Sequence, residues 1–145
     1  MPTLKPVQVE ATLGSKFTIE SQIRGHTLFV DQPPSGGGDD AGPTPLEYLL
    51  LSLAGCIGTI ARIVARQKRI ELRGMTVRVE GELDVEVLLG KSRENRAGFT
   101  GFKVVVSMDA DLTREEKEAF LHEVDQRCPV SENLKSLTPI TLEVK

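Results

Sequence analysis

The chain has 145 residues and a net charge of −3 with both signs interspersed, the size of one domain that can bury a core without staples. No basic stripe points to nucleic acid and no polybasic tail to an anionic membrane, and five Phe, one Tyr and no Trp leave little for stacking bases. The start, Met1-Pro2-Thr3-Leu4-Lys5, lacks the apolar core and cleavage site of a signal peptide, so a soluble, cytoplasmic, single-domain protein over residues 1–145 is expected.

The first third reads as β. Val7, Val9 and Ala11 alternate with polar residues, as do Phe17, Ile19 and Ser21, and then Leu28 and Val30. Gly14-Ser15 and Arg24-Gly25 punctuate these runs as turns, which predicts a three-stranded antiparallel meander. Gln32 to Pro45 is dense in Pro, Gly and Asp and reads as a flexible loop.

A long helix follows. Thr44 and Glu47 fit a capping box, and Pro45 sits at the first helical position, where its missing N–H costs nothing. Leu46, Leu49, Leu50, Leu53, Ile57, Ile60, Ala61 and Val64 form a helical stripe, running to about Lys68 over roughly 35 Å. The most apolar stretch, Leu46 to Ala61, carries Glu47 and two glycines and is shorter than the ~18 residues of a membrane span. Tyr48, Leu51 and Gly55 lie opposite the stripe, so this helix needs cover on both sides, from layers of the fold or from another copy.

Period two returns at Val77, Val79, Leu83 and Val85, then at Phe102, Val104, Val106 and Met108. The span Gly90 to Gly101 reads as a mobile hairpin connection. A second helix starts at the capping box Thr113/Glu116 and buries Phe120, Leu121 and Val124. Cys128-Pro129 breaks it and opens a short helical turn through Leu134, and Ile140, Leu142 and Val144 read as a last strand. The order βββ-α-ββ-α-β is α+β.

The chain has two cysteines. They can stay free, pair with each other or pair across subunits, and in a reducing compartment a disulfide is more often transient than structural. A two-cysteine redox centre needs only this inventory; burial as small core residues is the plain alternative. Cys56 sits well inside the long helix, too deep for the helix dipole to favour a thiolate. Cys128, at the N-cap of the short helix, has backbone N–H groups to do so, and on spacing alone it is the attacking thiol. At about 100° per residue Glu47 falls opposite Cys56, and its cap role already explains it. His26 and His122 have no partners at metal-ligand spacing, so neither a metal nor another cofactor is expected. Gly36-Gly37-Gly38-Asp39-Asp40 reads as a solvated loop without a nucleotide fingerprint.

Gly42-Pro43-Thr44-Pro45-Leu46-Glu47 leading to Ala54-Gly55-Cys56, together with Cys128-Pro129-Val130-Ser131 and Leu134-Lys135, resembles the family of osmotically inducible protein C and the organic hydroperoxide resistance proteins (OsmC/Ohr). The likeness in element order covers nearly the whole chain. It implies an intertwined homodimer with the two long helices at its centre and active sites at the subunit interface. It also implies thiol-dependent reduction of organic hydroperoxides, with an external dithiol as reductant. Carried over, Cys56 is the peroxidatic thiol and Cys128 the resolving one, the reverse of the reading from spacing. Family enzymes pair the reactive thiol with an arginine and a glutamate. The glutamate of the best-known peroxidases aligns with Leu46, Glu47 being one position later as in a less characterised branch. No arginine lies between Asp31 and Pro45, which leaves Arg24 as the nearest candidate. The incomplete set keeps a non-catalytic ligand-binding or redox-regulatory role open, and so too a thiol–disulfide exchanger acting on other proteins.

Overall fold

A computed structural model describes every residue from Met1 to Lys145, which divide into two compact units, Met1–Leu49 and Leu50–Lys145. The order of elements is α+β: three strands, a long helix, a two-stranded hairpin with a one-turn helix in its connection, and two further helices.

The first unit is the expected meander. Strands β1 (Ala11–Leu13), β2 (Ile19–Ile23) and β3 (His26–Val30) pair antiparallel in the order β1-β2-β3. Ile23 faces His26 across a two-residue turn in which Arg24 and Gly25 both have positive φ, 49° and 86°, the backbone that matches the twist of a tight hairpin. Strand β1 is shorter than the alternation of Val7, Val9 and Ala11 predicts. In its register with β2, Ala11 pairs with Ser21. Val9 would therefore reach Ile23, and earlier residues run past the turn. Val7 and Val9 are exposed.

The loop after β3 is held rather than flexible. The buried Asp31 carboxylate accepts from Thr18 Oγ1 at 2.9 Å, Gln32 N at 2.7 Å and Ala41 N at 3.1 Å, and Asp31 N donates to Pro43 O at 3.1 Å. A Cβ at Gly38 would stand 2.0 Å from Gln32 O, and one at Gly42 2.2 Å from Phe29 O, so only glycine lets the loop fold back this closely.

Helix α1 (Pro45–Lys68) starts as its sequence dictates. Thr44 Oγ1 accepts from Glu47 N at 3.2 Å while Glu47 Oε1 accepts from Thr44 N at 2.9 Å, a reciprocal cap. It ends where Arg69 turns left-handed (φ 56°) and Ile70 N donates to Ala65 O at 2.8 Å, which satisfies a carbonyl that the helix leaves open. The apolar run continues past Ala61, and this overturns the expectation of a stretch too short for a membrane. The 24 residues include an 18-residue window of mean hydropathy 1.8, enough to cross by length and composition alone. One face of it packs into the core of the second unit, with 28 % of that window buried. Leu53, Ile57, Ala61, Val64 and Ala65 are buried together with Leu72, Ala110, Phe120 and Val124, each fully buried large side chain stabilising the unit by about 1.5–3 kcal/mol.

The rest of the second unit closes over that stripe. Strands β4 (Gly74–Leu83) and β5 (Phe99–Asp109) pair antiparallel from Gly74↔Asp109 to Leu83↔Phe99, and Met75, Val77, Val79 and Met108 lie against the core. Their connection is more ordered than its charge suggests, because Asp84 caps a one-turn helix α2 (Val85–Leu88) and accepts from Asn95 Nδ2 at 2.8 Å. Val85 thus belongs to a helix, not to the strand expected there. Helix α3 (Arg114–Arg127) carries the expected Thr113/Glu116 capping box, and α4 (Pro129–Lys135) follows directly. The last strand is not formed: residues 137–145 have no regular structure, and Leu137, Ile140, Leu142 and Val144 are exposed. Alternation sets the faces of a strand but supplies no partner to pair with.

Candidate functional site

Helix α1 and the junction of α3 with α4 bring the two cysteines together. Both thiols are free, and Cys128 Sγ lies 3.0 Å from Cys56 Sγ, oriented as a donor to it. Cys56 is partly exposed, whereas Cys128 is 1 % exposed and belongs to the hydrophobic core. Cys128 ends α3, its N–H donating to Asp125 O at 3.3 Å, and is also the N-cap of α4, its sulfur accepting from Ser131 N at 3.4 Å. The N-cap position read from the sequence is therefore present.

Its electrostatic consequence is not. Burial pushes the Cys128 thiol up, contact with Cys56 pushes it further, and the Ser131 N–H recovers only part of the shift. Desolvation of a thiolate outweighs the backbone donors of Ser131 and Val130 on a helix of seven residues. Spacing had made Cys128 the attacking thiol, and this environment argues against that order.

A three-residue network lies behind the sulfur. Ser131 Oγ donates to Asp125 Oδ1 at 2.6 Å, and Lys135 Nζ donates to Asp125 Oδ2. The Lys135 ammonium and the Ser131 hydroxyl hold the Asp125 carboxyl below its usual range. These residues form the polar end of a pocket of about 360 Å³ whose apolar wall includes Leu53, Ile57, Phe102 and Val104. Leu53 and Ile57 share one face of α1, and neither cysteine lines this pocket. Sequence reading passed over Asp125, Ser131 and Lys135 as working residues. The available signal was the spacing Asp125-x-x-Cys128-x-x-Ser131, which sets a carboxylate and a hydroxyl one turn to either side of the helix break.

Glu47 and Arg24 belong to the first unit. Glu47 is occupied by its cap, the backbone N–H of Thr44 and then its side chain lowering the carboxyl's pKa. Arg24 stands exposed at the β2–β3 turn. His26 begins β3 and His122 lies within α3, and no group of three or more His, Cys, Asp or Glu residues is placed to hold a metal ion.

Fold and site together define an α+β protein with a close pair of free thiols, one on a long central helix and one at a helix break. The family profile described as OsmC-like protein matches residues 37–143, and the chain belongs to that family. Comparison with curated protein sequences finds no match. Among solved structures it is similar to an OsmC-like protein from Mycoplasma pneumoniae, at 20 % identity and a TM-score of 0.79 over 92 % of this chain and 89 % of the other. It is similar to an organic hydroperoxide resistance protein from Elizabethkingia anophelis, at 21 % identity and a TM-score of 0.67 over 94 % and 93 %. It is also similar to the organic hydroperoxide resistance protein OhrB of Bacillus subtilis, at 23 % identity and a TM-score of 0.63 over 99 % and 100 %.

Proposed function

We propose that the protein is a thiol-dependent peroxidase that reduces organic hydroperoxides in the cytoplasm as a homodimer. The observation that carries this reading is the 3.0 Å approach of a partly exposed Cys56 to a buried Cys128. Access selects the first thiol and burial the second. Cys56 thiolate attacks the distal peroxide oxygen, the O–O bond breaks, and the alkoxide takes a proton to leave as alcohol. Cys56 is then a sulfenic acid. Cys128 attacks its sulfur, the hydroxide departs with the proton Cys128 has lost, and a disulfide and water result. An external dithiol attacks the disulfide, donates two electrons and two protons, leaves as its own disulfide and restores both thiols. The apolar side chains packed around Cys56 favour organic over hydrogen peroxide, and membership of a family with hydroperoxide resistance proteins among its structural neighbours supports the substrate class.

The homodimer reading rests on uncovered apolar surface. Leu4, Val7 and Val9 at one end of the chain, Ile140, Leu142 and Val144 at the other, and Leu51 on α1 are all exposed. This many exposed apolar side chains in each unit is more than a stable monomer usually leaves in water, and a second copy supplies strand partners and cover. In such a dimer Arg24, free at its turn, serves as the cation for Cys56 of its own or the partner subunit, and Glu47 is kept to its cap.

Stopped-flow mixing of reduced protein with cumene hydroperoxide and with hydrogen peroxide tests the reading, with Cys56→Ser as control. Fast, Cys56-dependent oxidation by the organic peroxide supports it. No faster reaction than free cysteine gives would transfer the site to a non-catalytic ligand-binding or redox-regulatory role, which the exposed Arg24 and the engaged Glu47 favour.

A further inference from the structure

We infer that Asp125 is a positioning residue for the Cys128 thiol, acting through Ser131 and steadied by Lys135. Its part in turnover rests on the two-cysteine reading above; its effect on the thiol pair does not.

Cys128 stands at a corner where α3 ends and α4 begins. Pro129 removes the N–H that would have continued one helix into the other, so the backbone alone does not fix the corner's angle. Helix α4 has seven residues, too few to hold its own shape or direction in water. Two side-chain ties cross the corner, and both end on one carboxylate: Ser131 Oγ to Asp125 Oδ1 at 2.6 Å, and Lys135 Nζ to Asp125 Oδ2. Each involves an ionised group, the stronger class of hydrogen bond. Ser131 is also the residue whose N–H reaches Cys128 Sγ at 3.4 Å. A serine in a first helical turn, free to rotate, could turn its hydroxyl to a nearby backbone group. Here it crosses to α3 instead, and the crossing holds its N–H on the sulfur. Asp125 thus fixes the donor, the donor fixes the sulfur, and the sulfur faces Cys56.

What a positioning residue changes is the effective concentration of one thiol for the other, and a redox titration in glutathione buffers reads that quantity directly. Cys56 thiolate attacks oxidised glutathione and releases one glutathione thiol. Cys128 thiolate then attacks Cys56 sulfur in the mixed disulfide and releases the second, the two protons from the protein thiols passing to the two leaving thiolates. No hydroperoxide takes part, so the titration decides the positioning claim even if the peroxidase reading fails.

For Asp125→Asn the equilibrium constant for disulfide formation falls about fivefold, a rise of about 20 mV in the potential of this two-electron couple. Ser131→Ala gives a rise of the same size, Ser131→Thr, which keeps the hydroxyl, stays near the wild type, and Asp125→Asn with Ser131→Ala rises no further than either alone. Melting curves run on the same variants separate positioning from general loosening. Potentials unchanged in both single variants, with or without a lower Tm, would overturn the inference, as would additive shifts in the double variant.

Discussion

Cys56 and Cys128 lie 72 positions apart in the chain and 3.0 Å apart at sulfur, a separation that a covalent S–S bond of about 2.05 Å closes with an ångström of movement. Mild oxidation with diamide is therefore expected to form one intramolecular disulfide, lost in Cys56→Ser and in Cys128→Ser. Closing a loop of this length stabilises the fold by about 4 kcal/mol through the unfolded chain's entropy. For a chain of this size that corresponds to a Tm rise on the order of 10 °C. Calorimetry of oxidised against reduced protein checks it, and a lower Tm on oxidation would mean that the bond strains the corner instead.

Arg24 is the cation proposed for Cys56, and its backbone complicates the obvious test. With φ at 49° it sits where Asn is tolerated and most side chains are not, so Arg24→Asn removes the guanidinium and leaves the turn content. Oxidation of Cys56 by cumene hydroperoxide is expected to slow by roughly one to two orders of magnitude, the scale of a lost charged hydrogen bond. Arg24→Lys recovers only part, lacking the planar fork. An unchanged rate would remove Arg24 from the site.

Asp31 makes the loop after β3 sensitive to acid. Burial raises its pKa, but the N–H groups of Ala41 and Gln32 and the Thr18 hydroxyl lower it further than burial lifts it, leaving it below the ordinary 3.8. A carboxyl depressed in the folded state contributes stability that is present above its unfolded value. That stability is lost as pH falls from about 3.8 towards the lower folded value. Hydrogen exchange at the Ala41 amide should accelerate across that window, beyond the intrinsic trend. Asp31→Asn should show little such step and faster exchange at neutral pH.

The uncovered ends of the chain give a fourth expectation. Ile140→Asp with Leu142→Asp places charge on residues that are 85 % and 95 % exposed, which costs an isolated chain little and a dimer much. Light scattering should show the wild type as a dimer at micromolar concentration and the double variant shifted to monomer. A wild-type monomer would leave both terminal segments without a partner.

Local signals were the most legible part of the chain. The Thr44/Glu47 and Thr113/Glu116 boxes stand where their spacing puts them, because a cap needs only neighbours within one turn. The α1 stripe and the Cys128 N-cap are legible for the same reason. Register limits were not legible: that β1 begins only at Ala11 depends on where β2 turns, and the Ile140 to Val144 alternation lacks a strand beside it. The inventory of two cysteines made a thiol pair a candidate, but the roles of the two came only through a family resemblance, since nothing local ties Cys56 to a residue 72 positions away. Asp125 stayed hidden because its only signal was the Asp125-x-x-Cys128-x-x-Ser131 spacing, which spans a helix break and leaves the angle between the two helices open.

Cys128 being already in place has a bearing on survival under heavy peroxide load. A sulfenic acid that must wait for a distant thiol is open to a second peroxide, which converts it to sulfinic acid beyond the reach of ordinary thiols. With its trap one bond rotation away, the Cys56 sulfenic acid of the proposed cycle is consumed before that encounter. Such a protein would keep turning over at peroxide concentrations that silence slower-resolving ones, and would serve as a scavenger rather than as a sensor that records exposure by switching off.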